Sequence, residues 1–198
     1  TANRIFVPPG CGPGISLYSE NIGLATIGET PLVIVDVQRQ GPATGSATKG
    51  AEGDIQFSRW VTSGGLPVIA LSPATVAEAY ELTYRAFNFA EQFRVPVFLL
   101  SSKEISLTRE TVDLDEVNLP GVLERPRMEE GEIYQPHAFD RPEQIPALSD
   151  FGAAQVTRYT TSTHDKSGYL TTDPAVIQEM IDHYAAKIET AVDEICLY

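Results

Sequence analysis

Residues 35–54 read VDVQRQGPATGSATKGAEGD, and they join a buried strand to a polar loop. The strand begins just before this stretch, because Pro31–Val37 (PLVIVDV) is an almost unbroken run of apolar, mostly β-branched residues. Such a run is typical of a strand that is covered on both faces in a parallel sheet. The sequence therefore predicts an α/β fold, in which helices flank a parallel sheet.

The loop after this strand is polar and rich in turn residues. It carries Gln38, Arg39, Thr44, Ser46 and Thr48, interleaved with Gly41, Pro42 and Gly45. In open parallel sheets, ligands bind in the crevice beyond the carboxyl ends of the strands. We therefore expect the loop to line such a crevice, where the fixed donor fork of Arg39 would suit a carboxylate or a phosphate.

Strands and helices alternate along most of the chain, as in repeated strand–helix–strand units. The predicted strands are 4–8, 31–37, 67–71 and 96–102, and the predicted helices cover 15–28, 54–62, 76–93 and a long segment that begins at Asp173-Pro174. Two starts are open for the third helix, Ser72-Pro73 or a capping box of Thr75 and Glu78. Its predicted core stripe runs through Val76, Ala79, Tyr80, Thr83, Phe87, Ala90 and Phe93, and Trp60 of the second helix is expected in the core.

Regular structure fades over residues 104–150, where five prolines interrupt any periodic pattern. Such a long excursion is usually functional or covered by a partner, although a surface excursion packed on the domain is the simpler alternative. Residues 155–160 could add one last strand. We interpret residues 1–198 as a single α/β domain.

Composition limits the classes of function. The chain has 14 Lys+Arg against 27 Asp+Glu, a net charge of −13, which argues against broad binding to nucleic acid or to anionic membranes. No apolar run approaches the ~20 residues of a membrane span. The two cysteines, Cys11 and Cys196, form no metal-binding pair and are interpreted as small, partly buried apolar residues, so we expect a protein of the reducing cytoplasm.

Four stretches in order carry a resemblance to a known family. They are GPGISLYSE (12–20), VIVDVQRQGPATGSAT (33–48), PVIALSPATVAEAYELTYRAFNFAEQFRVPVFLLS (67–101) and HDKSGYLTTDP (164–174). The second resembles the signature of the α subunit of 2-oxoacid:ferredoxin oxidoreductases. It departs from that signature at Ala43, where Ser is usual, and at Ala47, where Pro is usual.

The resemblance implies an oxidative decarboxylation of a 2-oxoacid, such as pyruvate or 2-oxoglutarate, on thiamine diphosphate, with coenzyme A as the acyl acceptor and ferredoxin as the electron acceptor. This chain would supply the pyrimidine-side domain of the thiamine diphosphate fold. A β-type partner subunit would hold the diphosphate, its magnesium ion and an iron-sulfur cluster. The resemblance also implies that the chain corresponds to the middle of a subunit, with a substrate loop and the cofactor-activating glutamate in front of its first residue.

The candidate site residues come partly from this resemblance. Arg39 and Thr48 match the family positions that bind the 2-oxoacid carboxylate and carbonyl region. The Gly12-Pro13-Gly14 turn either lets the backbone approach a flat ligand or a neighbouring chain, and so binds the cofactor, or is an ordinary tight turn. His164 and Asp165 are substrate-binding candidates because His titrates near neutral pH, and the alternative is a turn with a hydrogen-bonded imidazole.

Two other classes of function are open at this point. One is a non-catalytic α/β module that serves as an interaction or structural subunit, and the other is a nucleotide-binding protein of the Rossmann type. Arg39 and Thr48 argue against the first, whereas the absence of a matching cofactor-activating glutamate argues for it. For the second, the GCGPG turn lacks the order of a phosphate-binding GxGxxG loop.

Overall fold

The computed structural model describes residues 5–128, 133–150 and 152–197, with the backbone alone for residues 5–9. Four strands form one sheet: β1 (Ile5–Gly10), β2 (Leu32–Gln38), β3 (Ile69–Leu71) and β4 (Pro96–Ser102). Their order is β1-β2-β4-β3, and each neighbouring pair runs parallel. The predicted parallel sheet is confirmed, and all carboxyl ends of its strands meet at one edge.

Helices cover both faces of this sheet. One face is covered by three helices, α1 (Gly12–Ser16), α2 (Ser19–Ile27) and α3 (Asp54–Arg59). The other face packs against α4 (Val76–Phe93) and α6 (Pro174–Glu189). Short helices α5 (Lys103–Leu107) and α7 (Val192–Ile195) complete the set among the described residues. Side chains of β2 alternate between two cores, since Val33 packs under α4 while Ile34 packs under Ile15 and Ile22.

Helix α4 begins with the predicted capping box. Glu78 N donates to Thr75 Oγ1 (3.1 Å), and the Glu78 carboxylate accepts from Ala74 N (2.8 Å). The buried face of this helix differs from the prediction, because Leu82, Ala86 and Phe89 join Ala90 and Phe93 in the core, and Tyr80 is 43% exposed. Because aromatic residues lie on both sides of α4, the sequence pattern is compatible with burial of either side. Packing against the sheet determines which side is buried.

Three local predictions differ from the structure. The helix expected over residues 15–28 is divided into α1 and α2, where the Ser16 and Ser19 hydroxyls bond to backbone carbonyls and compete with helical pairing. Trp60 lies outside the core, 60% exposed with the Arg59 guanidinium 4.2 Å from its ring centroid, because Val61 fills the core instead. Residues 155–160 form no strand, since no neighbouring strand lies beside them in the described chain.

The excursion over residues 104–150 begins with α5 and continues without further helices or strands in its described parts. Side chains of α4 hold it on the domain. Asn88 bonds to the backbone of Gly121 (2.8 Å) and Leu123 (3.1 Å), and Arg125 donates twice to Glu91 (2.7 and 2.9 Å). These contacts pack the irregular segment on the domain.

Candidate functional site

The loop after β2 closes on itself through backbone hydrogen bonds. Gln40 N donates to Lys49 O (2.9 Å), and Ser46 N donates to Gln40 O (3.1 Å). Gly45 has a φ of +46°, and a Cβ at this residue would lie 2.0 Å from Gln40 O. Glycine is therefore required here, and the loop has a defined shape although its side chains are exposed.

Arg39 is half-buried at the start of this loop, and its guanidinium is held by three contacts. Nε donates to Cys11 Sγ (3.2 Å), and Nη1 donates to the carbonyls of Gln40 (3.4 Å) and Thr44. Within the described chain, Nη2 has no partner. The guanidinium is thus oriented by protein contacts and keeps donor capacity for a ligand.

The Cys11-Gly12-Pro13 turn follows β1 and begins α1, with Cys11 as the N-cap residue. Gly12 N donates to Asp54 Oδ2 (3.0 Å), and Asp54 N donates to Gln38 Oε1 (3.3 Å). A Cβ on Gly12 would lie 2.4 Å from Asp54 Oδ1. Residue 12 is therefore a glycine because a carboxylate from α3 approaches the backbone closely.

These elements enclose a cleft of about 680 Å³ at the carboxyl edge of the sheet. Its lining includes Gly12, Pro13, Ser16, Arg39, Pro42 and Phe57. Three of the predicted site residues, Gly12, Pro13 and Arg39, thus lie together. Gly14 lies further along α1 and does not line the cleft.

Thr48 lies on the same loop as Arg39 and is exposed, without lining this cleft. Its carbonyl accepts a hydrogen bond from Lys103 Nζ (2.7 Å), at the start of α5. Glu104 packs tightly against Gly50 of the loop, where a Cβ would lie 1.9 Å from Glu104 Oε1. Helix α5 therefore anchors the part of the loop that carries Thr48.

Asp36 is an unusual residue beneath the cleft. It lies on β2, three residues before Arg39, and is completely buried. Neither of its carboxylate oxygens has a hydrogen-bond partner among the described residues. Burial, and to a lesser extent the charge of Asp54, raise the pKa of Asp36 to about 7.

His164 and Asp165 lie away from this cleft, at the opposite edge of the sheet from Arg39. His164 is buried, with Nδ1 against Asp165 O and Nε2 against Ile27 O, both at 2.9 Å. Because Ile27 ends α2 shortly before β2 begins, this position is at the amino edge of the sheet. Asp165 Oδ1 accepts from Ser167 N and Tyr169 N, so the pair lies in a hydrogen-bonded turn.

The amino edge also holds a buried cluster of charged and polar groups around Glu29. Glu29 accepts from His183 Nε2 (2.7 Å) and Lys187 Nζ (3.0 Å) at one oxygen and contacts His137 Nδ1 (2.7 Å) at the other. Arg94 donates to the Glu29 carbonyl (3.1 Å) and to the carbonyls of Pro136 (2.8 Å) and Pro146 (3.1 Å). The cluster thereby joins α6 and the excursion to the sheet.

Neighbouring charges favour the ionised form of the Glu29 carboxyl. Burial alone would raise the pKa of Glu29, but Lys187 and Arg94, with hydrogen bonds from His137 and His183, hold it well below its usual value. Burial lowers the pKa of Lys187, and the Glu29 carboxylate opposes that effect. Each ion depends on its neighbours, as expected of a structural cluster.

Sequence reasoning missed Asp54, Cys11 and Asp36 as parts of the site. Asp54 and Cys11 carry no local signal, since their contacts cross 42 and 28 residues of chain. Asp36 did carry one. A carboxylate inside an apolar strand conflicts with its surroundings, and such conflicts occur preferentially at functional positions.

Comparison with known families gives one clear match. Residues 9–183 match the model of the thiamine diphosphate-binding domain of pyruvate flavodoxin/ferredoxin oxidoreductases. The match includes the residues that line the cleft and all members of the Glu29 cluster except Lys187.

Curated relatives agree with this family. The chain is 40% identical to the 2-oxoglutarate synthase subunit KorA of Methanocaldococcus jannaschii over 93% of its own length and 49% of the relative. It is 30% identical to 2-oxoacid:ferredoxin oxidoreductase 1, subunit alpha, of Aeropyrum pernix, over 93% of the chain and 29% of that protein. The chain thus spans half or less of the length of these relatives.

A solved structure has the same fold. It is the 2-oxoglutarate:ferredoxin oxidoreductase from Magnetococcus marinus with 2-oxoglutarate, coenzyme A and succinyl-CoA bound, with a TM-score of 0.83 and 26% identity. The similarity covers 96% of this chain and 33% of the other. In the described part of the chain, no helix is both long and apolar enough to cross a membrane.

Proposed function

The chain belongs to the pyruvate flavodoxin/ferredoxin oxidoreductase family, in its thiamine diphosphate-binding domain, and from this premise we propose that it is part of the α subunit of a 2-oxoacid:ferredoxin oxidoreductase. In this proposal it contributes the loop that binds the 2-oxoacid for oxidative decarboxylation to an acyl-CoA. The expected pyrimidine-type fold agrees with the parallel sheet and its flanking helices.

Arg39 is the observation that carries the proposal. Its guanidinium lines a cleft at the edge of the sheet where α/β folds bind ligands, and Cys11 and the Thr44 carbonyl fix its orientation. A guanidinium that is fixed in place, and whose Nη2 has no partner in the described chain, suits the carboxylate of a 2-oxoacid. Thr48, on the same loop and held by Lys103, is proposed as the neutral donor to the substrate.

The cleft also fits one end of thiamine diphosphate. It combines the Gly12-Pro13 backbone with the flat side chain of Phe57, and its volume of about 680 Å³ falls in the range of small-molecule sites. When bound, the cofactor supplies carbanion stabilisation. The role proposed for this chain is to orient the pyrimidine ring and the 2-oxoacid, while Arg39 neutralises the substrate carboxylate.

The remaining parts of the reaction are assigned to partners. These 198 residues contain two cysteines, fewer than the four that usually ligate an iron-sulfur cluster, so the cluster is proposed on a β-type subunit together with the diphosphate and magnesium sites. Ferredoxin would receive the electrons through that subunit, and coenzyme A would receive the acyl group. We propose that the assembly works in the cytoplasm.

The names of the relatives favour 2-oxoglutarate over pyruvate as the substrate. Both the archaeal 2-oxoglutarate synthase subunit and the solved 2-oxoglutarate:ferredoxin oxidoreductase point in this direction. Arg39 itself recognises the carboxylate that all 2-oxoacids share, so it does not discriminate between them.

The test is reduction of ferredoxin by the assembled enzyme, with thiamine diphosphate and coenzyme A supplied. We expect reduction that depends on a 2-oxoacid and is faster with 2-oxoglutarate than with pyruvate. The Arg39→Ala variant should lose most of the activity at low substrate concentration, whereas the exposed Arg109→Ala variant should not. A complex that assembles, binds the cofactor and still reduces no ferredoxin with any 2-oxoacid would favour the non-catalytic module instead.

A further inference from the structure

The feature that the proposed function leaves unexplained is the Asp36 carboxyl. It is completely buried near the carboxyl end of β2, and both of its oxygens lack a partner in the described part of the chain. An ionised carboxylate in such a place is strongly unfavourable unless it is paired or hydrogen-bonded. A neutral carboxylic acid is much less so, and therefore the geometry itself favours the protonated form.

Among the described residues around Asp36, one charged group, Asp54, adds to the effect of burial on its pKa, and little else titrates. The adjacent strands place Gly10 and Leu100 beside it in register, and neither carries an ionisable side chain. Glu20 of α2 is exposed, and the start of α1 contributes the Cys11 thiol, which contacts Arg39. From α3 comes Asp54, the carboxylate whose charge acts on Asp36.

Asp54 in turn connects two walls of the cleft. Its Oδ2 accepts from Gly12 N, and its own backbone N–H donates to the Gln38 side chain, which shares the face of β2 on which Asp36 lies. The missing Cβ at Gly12 leaves room for this carboxylate. In the turn before α1, the Gly12 amide is therefore held by Asp54.

We propose that Asp36 is a positioning residue that is kept as a neutral acid, and that its ionisation repels Asp54 and releases the Gly12 amide at the wall of the cleft. The Cys11–Arg39 contact is adjacent to Gly12, so a loosened turn also weakens one of the three contacts that orient the Arg39 guanidinium. The cleft is thus organised below neutral pH and becomes looser as Asp36 loses its proton.

Hydrogen–deuterium exchange of the assembled complex tests this inference. The readout is the protection of a peptide that contains Gly12, normalised at each pH to a peptide from the centre of β4, where Val97 and Phe98 are fully buried. Between about pH 6 and pH 8.5, wild-type protection should fall about tenfold, because Asp36 ionises across this interval. The isosteric Asp36→Asn variant, which cannot ionise, should keep its protection within about twofold.

Asp54→Asn serves as the reference for a weakened contact, with reduced protection of the same peptide at every pH. An equal pH response in wild type and Asp36→Asn would overturn the proposal, as would a wild type without any response. Loss of protection at all pH values on adding a chelator would overturn it too, because Asp36 would then be holding a cation. The measurement needs no substrate, so its outcome is independent of whether the proposed reaction is correct.

Discussion

The two edges of the sheet each contain a buried carboxyl, but the surroundings of these two carboxyls differ. At the amino edge, Glu29 is enclosed by Lys187, Arg94 and two histidines, and its pKa lies well below the usual value. At the carboxyl edge, Asp36 is equally buried but has no hydrogen-bond partner among the described residues, and its pKa rises to about 7. The first arrangement holds the fold together, whereas the second leaves a group that responds to pH beside a cleft.

The largest expected effect comes from removing the centre of the amino-edge cluster. Glu29→Gln leaves Lys187 and Arg94 buried without their counter-charge, which should lower the free energy of unfolding by about 3 to 5 kcal/mol. Chemical denaturation would measure this, with the exposed Glu20→Gln on α2 as the control. A loss below about 1 kcal/mol would mean that the cluster contributes little to stability.

The two buried carboxyls should also make the free energy of unfolding depend on pH in opposite directions. The lowered pKa of Glu29 contributes stability at pH values above its ordinary 4.5, and this is lost as the pH falls through the lowered value. The raised pKa of Asp36 contributes stability that is fully present below its ordinary 3.8 and is lost as the pH rises through about 7.

Asp36→Asn isolates the second effect. The free energy of unfolding of the variant minus that of wild type should increase as the pH rises from about 4 to 7, by up to about 4 kcal/mol. Above pH 7 this difference should stay constant. Urea unfolding at several pH values would show it. A constant difference across this range would contradict the assignment of Asp36 as a neutral buried acid.

Substitution of Arg39 tests the carboxyl edge as a binding site. Arg39→Lys should weaken 2-oxoacid binding nearly as much as Arg39→Ala, by roughly 1.5 to 3 kcal/mol, because a point charge cannot hold Cys11 Sγ and two carbonyls while also meeting a carboxylate. The measurement is KM for the 2-oxoacid in the assembled enzyme. An unchanged KM in Arg39→Lys would remove Arg39 from the site.

The smallest expected effect belongs to Thr48. Thr48→Ala removes one neutral donor from the loop while the Lys103 bond to its carbonyl remains, so binding should weaken by about 1 kcal/mol. Lys103→Met, which removes the anchor and keeps the hydroxyl, is the informative partner variant. If only Lys103→Met raises KM, the position of the loop matters and the hydroxyl does not.

Much of this protein follows from local sequence. Apolar, β-branched runs such as Pro96–Ser102 predict buried strands because a parallel sheet excludes water from both faces. The Thr75 and Glu78 pair predicts the start of α4 because its hydrogen bonds span only a few residues. The polar loop that carries Arg39 was also predicted from local sequence, because polar residues and glycines directly follow an apolar strand.

Contacts between distant segments were decided only by the tertiary structure. His164 was assigned to the substrate site from its neighbours in sequence, but its partner Ile27 lies 137 residues away at the other edge of the sheet. Glu29 meets Lys187 across 158 residues, and Gly12 meets Asp54 across 42. Asp36 was visible as a carboxylate in an apolar strand, but its pKa depends on complete burial and on Asp54, and both arise only when helix α3 packs against the sheet.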